Sequence, residues 1–324
     1  MTWNNSYILI PLLLFSCKND TIKQEAKDIP AVVLNNRPGN YVNDFHLIEA
    51  EELQRILDSD RIKIIDFRKR EAYDKGHIEG AIHVYRSDIE DDSYPYKGMM
   101  ATKETIERLF SKLGIRNDDT LVIYDDKGAS DAARLWWVLQ NYDFDAVRLL
   151  NGGLSTWRYQ GGSLSVEVNA AVSSDFKLND NPSLRYYINK EQLIDQVSAN
   201  PETVLLDTRN RDEFSGKRRK KGAVRGGRIP NSVLIDWADA IDYHGTKKFK
   251  TFNALQKRYG TLGVPKSHPI ITYCHSGVRS AHTTFVLTQL LGYENVKNYD
   301  GSWTEWSYFE NLPFEQDSIT TINE

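Results

Sequence analysis

The sequence predicts an α/β protein of two tandem domains, each a mostly parallel sheet flanked by helices. The first observation behind this is an internal repeat. At a constant offset of 149 residues, "VIYDDKGASDAARLWWVL" (122 to 139) lies over "ITYCHSGVRSAHTTFVL" (271 to 287), and "NGGLSTW" (151 to 157) lies over "DGSWTEW" (300 to 306). This sets Tyr124 against Tyr273, Gly128 against Gly277, Gly152 against Gly301 and Trp157 against Trp306. Upstream, "IIDFRKREAY" (64 to 73) matches "LLDTRNRDEF" (205 to 214), and "GHIEGAIHV" (76 to 84) matches "GRIPNSVLI" (227 to 235). The second observation is that each half alternates short apolar runs with amphipathic segments, the pattern of parallel strands joined by helical crossovers.

In chain order, the first half has apolar runs at 62 to 66, 121 to 124 and 147 to 149, expected as strands, and amphipathic segments near 49 to 58, 102 to 113 and 130 to 141, expected as helices. The second half repeats this with strands at 204 to 206, 270 to 273 and 296 to 298, and helices near 190 to 198, 252 to 259 and 279 to 291. The polar stretch that follows residue 163 and ends in Asn181-Pro182 separates the halves. The expected boundaries are a first domain over 41 to 165, a linker over 166 to 182 and a second domain over 183 to 312.

The chain has 324 residues, 40% hydrophobic and 27% charged, with a formal net charge of −4. That composition is globular and gives no whole-protein attraction to nucleic acid, so any anion binding must be local. Only two cysteines occur, Cys17 and Cys274, and neither belongs to a Cys-x-x-Cys pair. A disulfide framework or a thiolate metal site is therefore unsupported, and each thiol needs its own explanation.

Cys17 closes "SYILIPLLLFSC" (6 to 17), whose apolar run from Tyr7 to Phe15 is too short to span a bilayer but suits the apolar region of a signal peptide. Leu14-Phe15-Ser16-Cys17 resembles a bacterial lipobox, which implies that Cys17 is lipidated after removal of the preceding residues. Residues 18 to 40 then form a tether, and the protein is anchored in the bacterial cell envelope outside the cytoplasm. No Lys or Arg precedes the run, and the alternative is a packed N-terminal strand in a cytoplasmic protein.

Cys274 directly follows a strand and precedes a helix. In an open α/β sheet, ligands bind beyond the carboxyl ends of the strands. The turn there presents backbone N–H groups to one point, and the helix dipole adds partial positive charge. Such surroundings favour the thiolate and would hold an anionic group on, or leaving from, the sulfur. Gly277 lets the chain curl round that point. The first-half counterpart is Asp125, which can form no thiol-derived intermediate, so one repeat is expected to be active and the other degenerate.

The repeat, the loop "CHSGVRS" (274 to 280) and "LLGYENVKNYDGSWTEWS" (290 to 307) resemble the tandem-domain rhodaneses, the thiosulfate and 3-mercaptopyruvate sulfurtransferases, over about residues 41 to 310. The resemblance implies two rhodanese-like domains, and a Cys274 persulfide that carries sulfur from a small anionic donor to cyanide or a thiol. It implies no metal or organic cofactor. It also implies that the loop residues His275, Ser276, Gly277, Val278, Arg279 and Ser280 cradle the outer sulfur. Some phosphatases share the fold, but their loops read Cys-x5-Arg around a tetrahedral dianion. Here the spacing is Cys-x4-Arg, a smaller cup suited to one sulfur atom.

The loop mixes two family patterns. Ser276, Gly277 and Val278 look like the mercaptopyruvate type, and Arg279, suited to a dianionic sulfonate, looks like the thiosulfate type. Thiosulfate is the expected donor, with 3-mercaptopyruvate the alternative; His275 fits neither pattern and is read as neutral or a weak anion aid. The second half also carries a basic insertion between residues 217 and 225, in a segment that supplies donor-pocket cations in the family. Arg225 and Arg228 are the candidates there, while Glu213 falls where family members often carry a substrate-binding Arg.

Asp66 with Arg68 and Asp207 with Arg209 read as a structural ion pair in each repeat. His77 is read as a cleft residue or, equally, as a surface or capping residue. Trp136, Trp137, Trp157, Trp303 and Trp306 read as core or interface packing. The stretch 242 to 250 is expected to cover the cleft mouth. A second functional class also fits: a lipid-anchored sulfur carrier or anion sensor that uses the same loop without turnover.

Overall fold

The computed structural model describes Met1, residues 40–168 and residues 170–317. Cys17, the apolar run before it and residues 18 to 39 of the expected tether lie outside the described residues. Both repeats belong to one compact unit, Pro38–Glu324.

Each repeat builds a five-stranded sheet. In the first, β1 (Leu47–Ile48), β2 (Ile62–Asp66), β3 (Ile82–His83), β4 (Thr120–Tyr124) and β5 (Val147–Leu150) lie in the order β1-β5-β4-β2-β3. In the second, β6 (Tyr187–Ile188), β7 (Val204–Asp207), β8 (Val233–Leu234), β9 (Ile270–Tyr273) and β10 (Val296–Tyr299) lie in the order β6-β10-β9-β7-β8. These are the same topology, and every pairing within the two sheets is parallel. Central strands β4 and β9 are apolar on both faces, because helices cover both. The four edge strands of two residues each escape sequence reading, since two residues carry no alternation.

The principal helices are α1 (Ala50–Ile56), α2 (Lys103–Lys112), α3 (Ala132–Asn141), α4 (Gly153–Tyr159), α5 (Lys190–Ala199), α6 (Phe252–Tyr259), α7 (Val278–Phe285) and α8 (Ser302–Tyr308). Their starts have local causes. Thr102 accepts the Thr105 N–H to cap α2, and Asn189 and Gln192 form a reciprocal capping box on α5. The segment expected as one helix over 279 to 291 is α-helical only to Phe285 and continues as a π turn, Val286–Leu290.

The two repeats share a core. All ten residues of α3 are buried, and α3 packs along α7 of the other repeat. Trp136 meets Phe285 edge-on at 4.9 Å and stacks on Tyr186 at 5.6 Å, while the Trp137 indole donates to the Tyr186 carbonyl. Trp157, Trp303 and Trp306 fill the outer cores, so the five tryptophans singled out in the sequence are packing residues. The linker segment is not loose: Phe176 inserts between Phe110 and Phe144, and the Ser174 amide donates to the Ser111 carbonyl.

Each repeat carries its expected ion pair. Arg68 forks onto Asp66 and Arg209 onto Asp207, all buried, and each arginine also donates to a glycine carbonyl, Gly76 or Gly227. Of the three readings His77 takes the capping one, closing on the end of the short helix Arg70–Asp74. It is buried, stacks on Tyr73 at 3.8 Å and faces the Tyr73 and Glu167 carbonyls.

Candidate active site

Strand β9 delivers Cys274 into the turn that precedes α7, where it is 1% exposed. Gly277 makes the turn with φ +73°. A Cβ there would come within 2.7 Å of both the Arg134 guanidinium and the Asp300 carbonyl, so conformation and space both demand glycine. Ser302, at the start of α8, anchors the turn from behind. Its Oγ accepts the N–H groups of Cys274 (3.2 Å) and Gly277 (3.0 Å) and donates to the Tyr299 carbonyl (2.8 Å). Ser302 itself sits at φ +51°, a left-handed conformation unusual for a residue with a side chain.

Burial pushes the Cys274 thiol up, but the Arg279 charge, the Ser280 hydroxyl and amide and the Ser276 amide outweigh it. The net position lies below the ordinary thiol value. The first repeat shows what this turn is shaped to hold. The Asp125 carboxylate occupies its centre, accepting the amides of Lys127 and Ala129 on one oxygen and of Asp131 and Ala132 on the other, at 2.8–3.0 Å. Offset by 149, those amides are Ser276, Val278, Ser280 and Ala281. The Asp125 turn is an anion cradle filled by its own side chain. The Cys274 turn has a sulfur at the equivalent place and the same left-handed glycine, but it enters its helix at Val278, whereas the first turn passes through a left-handed Ala129 and enters its helix only at Ala132.

The other loop residues take distinct places. His275 Nε2 lies 3.0 Å from the Lys221 carbonyl and so carries the proton. Burial and Lys220 push the ring down to about 4, which favours the neutral reading of His275 at pH 7. Val278 and Ser280 are buried against the turn, and Ser280 Oγ has no other partner than the sulfur it faces. Arg279 is paired: its two terminal nitrogens donate to the two Glu213 oxygens at 2.7 and 2.9 Å. Despite its burial, Glu213 is held at about 2 by Arg279.

Two expectations are corrected. Arg225 donates to the carbonyls of Phe309, Glu310 and Leu312 and lies over the Phe314 ring. Arg228 binds Glu315 and Asp317. Both guanidiniums strap down the chain beyond α8 and are not offered to a ligand. The basic insertion reaches the Cys274 turn at its other end, where the Lys221 carbonyl meets His275 and the exposed Lys220 ammonium feels Arg279, Glu213, Cys274 and Arg86.

The first repeat also supplies groups that sequence reasoning missed. Arg86 Nη2 donates to Ser276 Oγ at 3.2 Å while bound to Glu90. Arg134, buried on α3, pairs with Asp300 at 2.5 Å and also donates to the Gly98 and Gly277 carbonyls. Gly98, at φ +106°, lies directly on Ser276. The stretch 242 to 250 plays the reciprocal part, since Thr246 and Lys247 cover Gly152 and Gly128 beside the Asp125 turn. It covers that turn rather than the mouth over Cys274. The motif "YDGSW" (299 to 303) held the signal for Asp300 and Ser302; nothing in the sequence marked Arg86.

A rhodanese-like domain matches the chain twice, at residues 49–160 and 189–308. The chain belongs to the rhodanese family. A thiosulfate sulfurtransferase of Corynebacterium glutamicum is 32% identical over 291 residues, spanning 87% of this chain and 94% of the relative. The sulfur carrier protein TtuD of Thermus thermophilus is 33% identical over 284 residues, spanning 84% and 97%. Among solved structures, the 3-mercaptopyruvate sulfurtransferase SseA from Escherichia coli superposes with a TM-score of 0.71 at 26% identity, covering 80% of this chain and 98% of that one. This rhodanese is a sulfurtransferase with two α/β domains.

Proposed function

We propose that Cys274 takes the outer sulfur of thiosulfate as a persulfide and passes it to a thiophilic acceptor such as cyanide or a thiol. The thiolate attacks the outer sulfur, an S–S bond forms, and the bond to the sulfonate sulfur breaks with its electron pair leaving on sulfite. Cyanide carbon, or a thiolate, then attacks the persulfide's outer sulfur and the Cys274 thiolate is released. No electron acceptor is needed, and no metal or organic cofactor takes part.

The observation that carries this reading is the pair of turns. One is filled by the Asp125 carboxylate on four amides, and the other has Cys274 at the equivalent place, where the amides of Ser276 and Ser280 would receive the outer sulfur. In this reading the first domain is catalytically silent and supports the second. 3-Mercaptopyruvate is the alternative donor. Cys274→Ser is expected to abolish thiocyanate formation from thiosulfate and cyanide, and turnover near the original rate would sink the assignment.

The likeness to the sulfur carrier protein TtuD favours a second reading, in which the chain carries sulfur on Cys274 without turning over. We further propose that Cys17 is lipidated and holds the domains at the cell envelope. The full chain should then partition into detergent and Cys17→Ser should not; equal partitioning of both would refute the anchor.

A further inference from the structure

We propose that Glu213 sets the donor charge this site accepts, by holding the Arg279 guanidinium away from the substrate. The inference rests on the sulfur-transfer reading above and names a specificity-determining residue for it.

Glu213 lies on the short helix Arg211–Ser215, which follows β7, and is 3% exposed. Its carboxylate meets Arg279 in a two-point, fork-to-fork contact, the geometry in which a guanidinium and a carboxylate satisfy each other most fully. Arg279 opens α7 immediately beside the Cys274 turn. It is the loop's own cation, and without Glu213 it would face an incoming anion with two parallel donors. With Glu213 in place, the positive charge still favours the nearby thiolate, but one N–H of each terminal nitrogen is taken and the fork is turned onto Glu213.

The other charged groups at the turn are partly committed elsewhere. Arg86 is shared between Ser276 and Glu90, Asp236 adds a carboxylate within range of Arg279, and His275 is neutral. Lys220 is the cation at the rim for which no ion pair exists among the described residues. Replacing Glu213 by Gln removes one negative charge from beside the donor's path and weakens the hold on Arg279. A dianion such as thiosulfate gains more from this than a monoanion such as 3-mercaptopyruvate. At an effective dielectric near 20, one charge several ångströms away changes the preference by about tenfold or more.

The test measures kcat and KM for both donors with cyanide as acceptor. Glu213→Gln is expected to raise the ratio of kcat/KM for thiosulfate over 3-mercaptopyruvate by about tenfold, through a lower KM for thiosulfate with kcat little changed. A ratio that stays level or falls overturns the proposal. The double variant Glu213→Gln with Arg279→Gln provides a second arm that does not depend on the single variant folding. If, as proposed, Arg279 makes no donor contact in the native site, the double variant keeps the native ratio, and a fall of about tenfold overturns the proposal as well. A native protein that forms no sulfur adduct with either donor, judged by intact mass, would instead refute the sulfur-transfer reading beneath it.

Discussion

Replacing Ser302 by Ala tests how the turn around Cys274 is held. Ser302 Oγ is the acceptor for two buried amides, those of Cys274 and Gly277. Ala keeps the backbone and the Cβ but leaves both donors without a partner. A buried donor stripped of its acceptor costs about 1–3 kcal/mol, so the pair costs about 2–6 kcal/mol. Ser302→Gly makes the same loss but relieves the left-handed φ of +51°, which costs a side-chain-bearing residue about 1–2 kcal/mol. The glycine variant should therefore be the more stable of the two by about 1 kcal/mol. Urea unfolding followed by tryptophan fluorescence measures both, and turnover with thiosulfate should fall in each because the loop amides lose their register. If Ser302→Ala unfolds within about 0.5 kcal/mol of the native protein, or if the Gly variant is the weaker, this account of the turn is wrong.

Two further outcomes follow from the same geometry. Arg134→Met removes a buried cation from Asp300 and leaves that carboxylate without its ion-pair partner. It should cost about 3–5 kcal/mol in urea unfolding and, by shifting the Gly277 carbonyl, lower kcat by about a hundredfold; native turnover would deny the first domain its supporting role. His282, buried on α7 between Phe249 and Trp237, is pushed down to about 3 by burial, with the Gly128 backbone opposing more weakly. The unfolded chain then takes up a proton below about pH 6.5 that the folded protein refuses. Stability is full above that pH and declines by about 1.4 kcal/mol per unit as pH falls toward 3. His282→Leu should flatten the decline in thermal midpoint between pH 6.5 and 4, and an unchanged slope would exclude His282 as its source.

Much of this protein was legible in its sequence because the repeat exposes it twice. The strands around Ile64 and Leu205, the helices after Thr102 and Asn189, and the turn with Cys274 over Asp125 all follow from the alternation of apolar and amphipathic segments and the fixed offset. What escaped reading depends on the chain returning from a distance. Arg225 and Arg228 looked like donor-site cations because they stand in a basic run, yet residues 309–317 cross back and take their charges. Glu213 looked like a missing arginine, and its meaning appears only when Arg279, 66 residues on, is seen in its grip. Arg86 and Gly98 come from the other repeat altogether. The role of the silent domain is a matter of packing: α3 lies against α7, and its Arg134 reaches the carbonyl of Gly277.

The central claim is a persulfide on Cys274, and intact mass tests it most directly. The described domains, prepared without residues 1 to 17, would be incubated separately with thiosulfate and with 3-mercaptopyruvate, freed of donor and weighed. The account predicts a gain of about 32 Da, one sulfur atom, from thiosulfate, carried on Cys274 and lost on adding cyanide. A folded protein with an alkylatable Cys274 that gains no mass from either donor would contradict it.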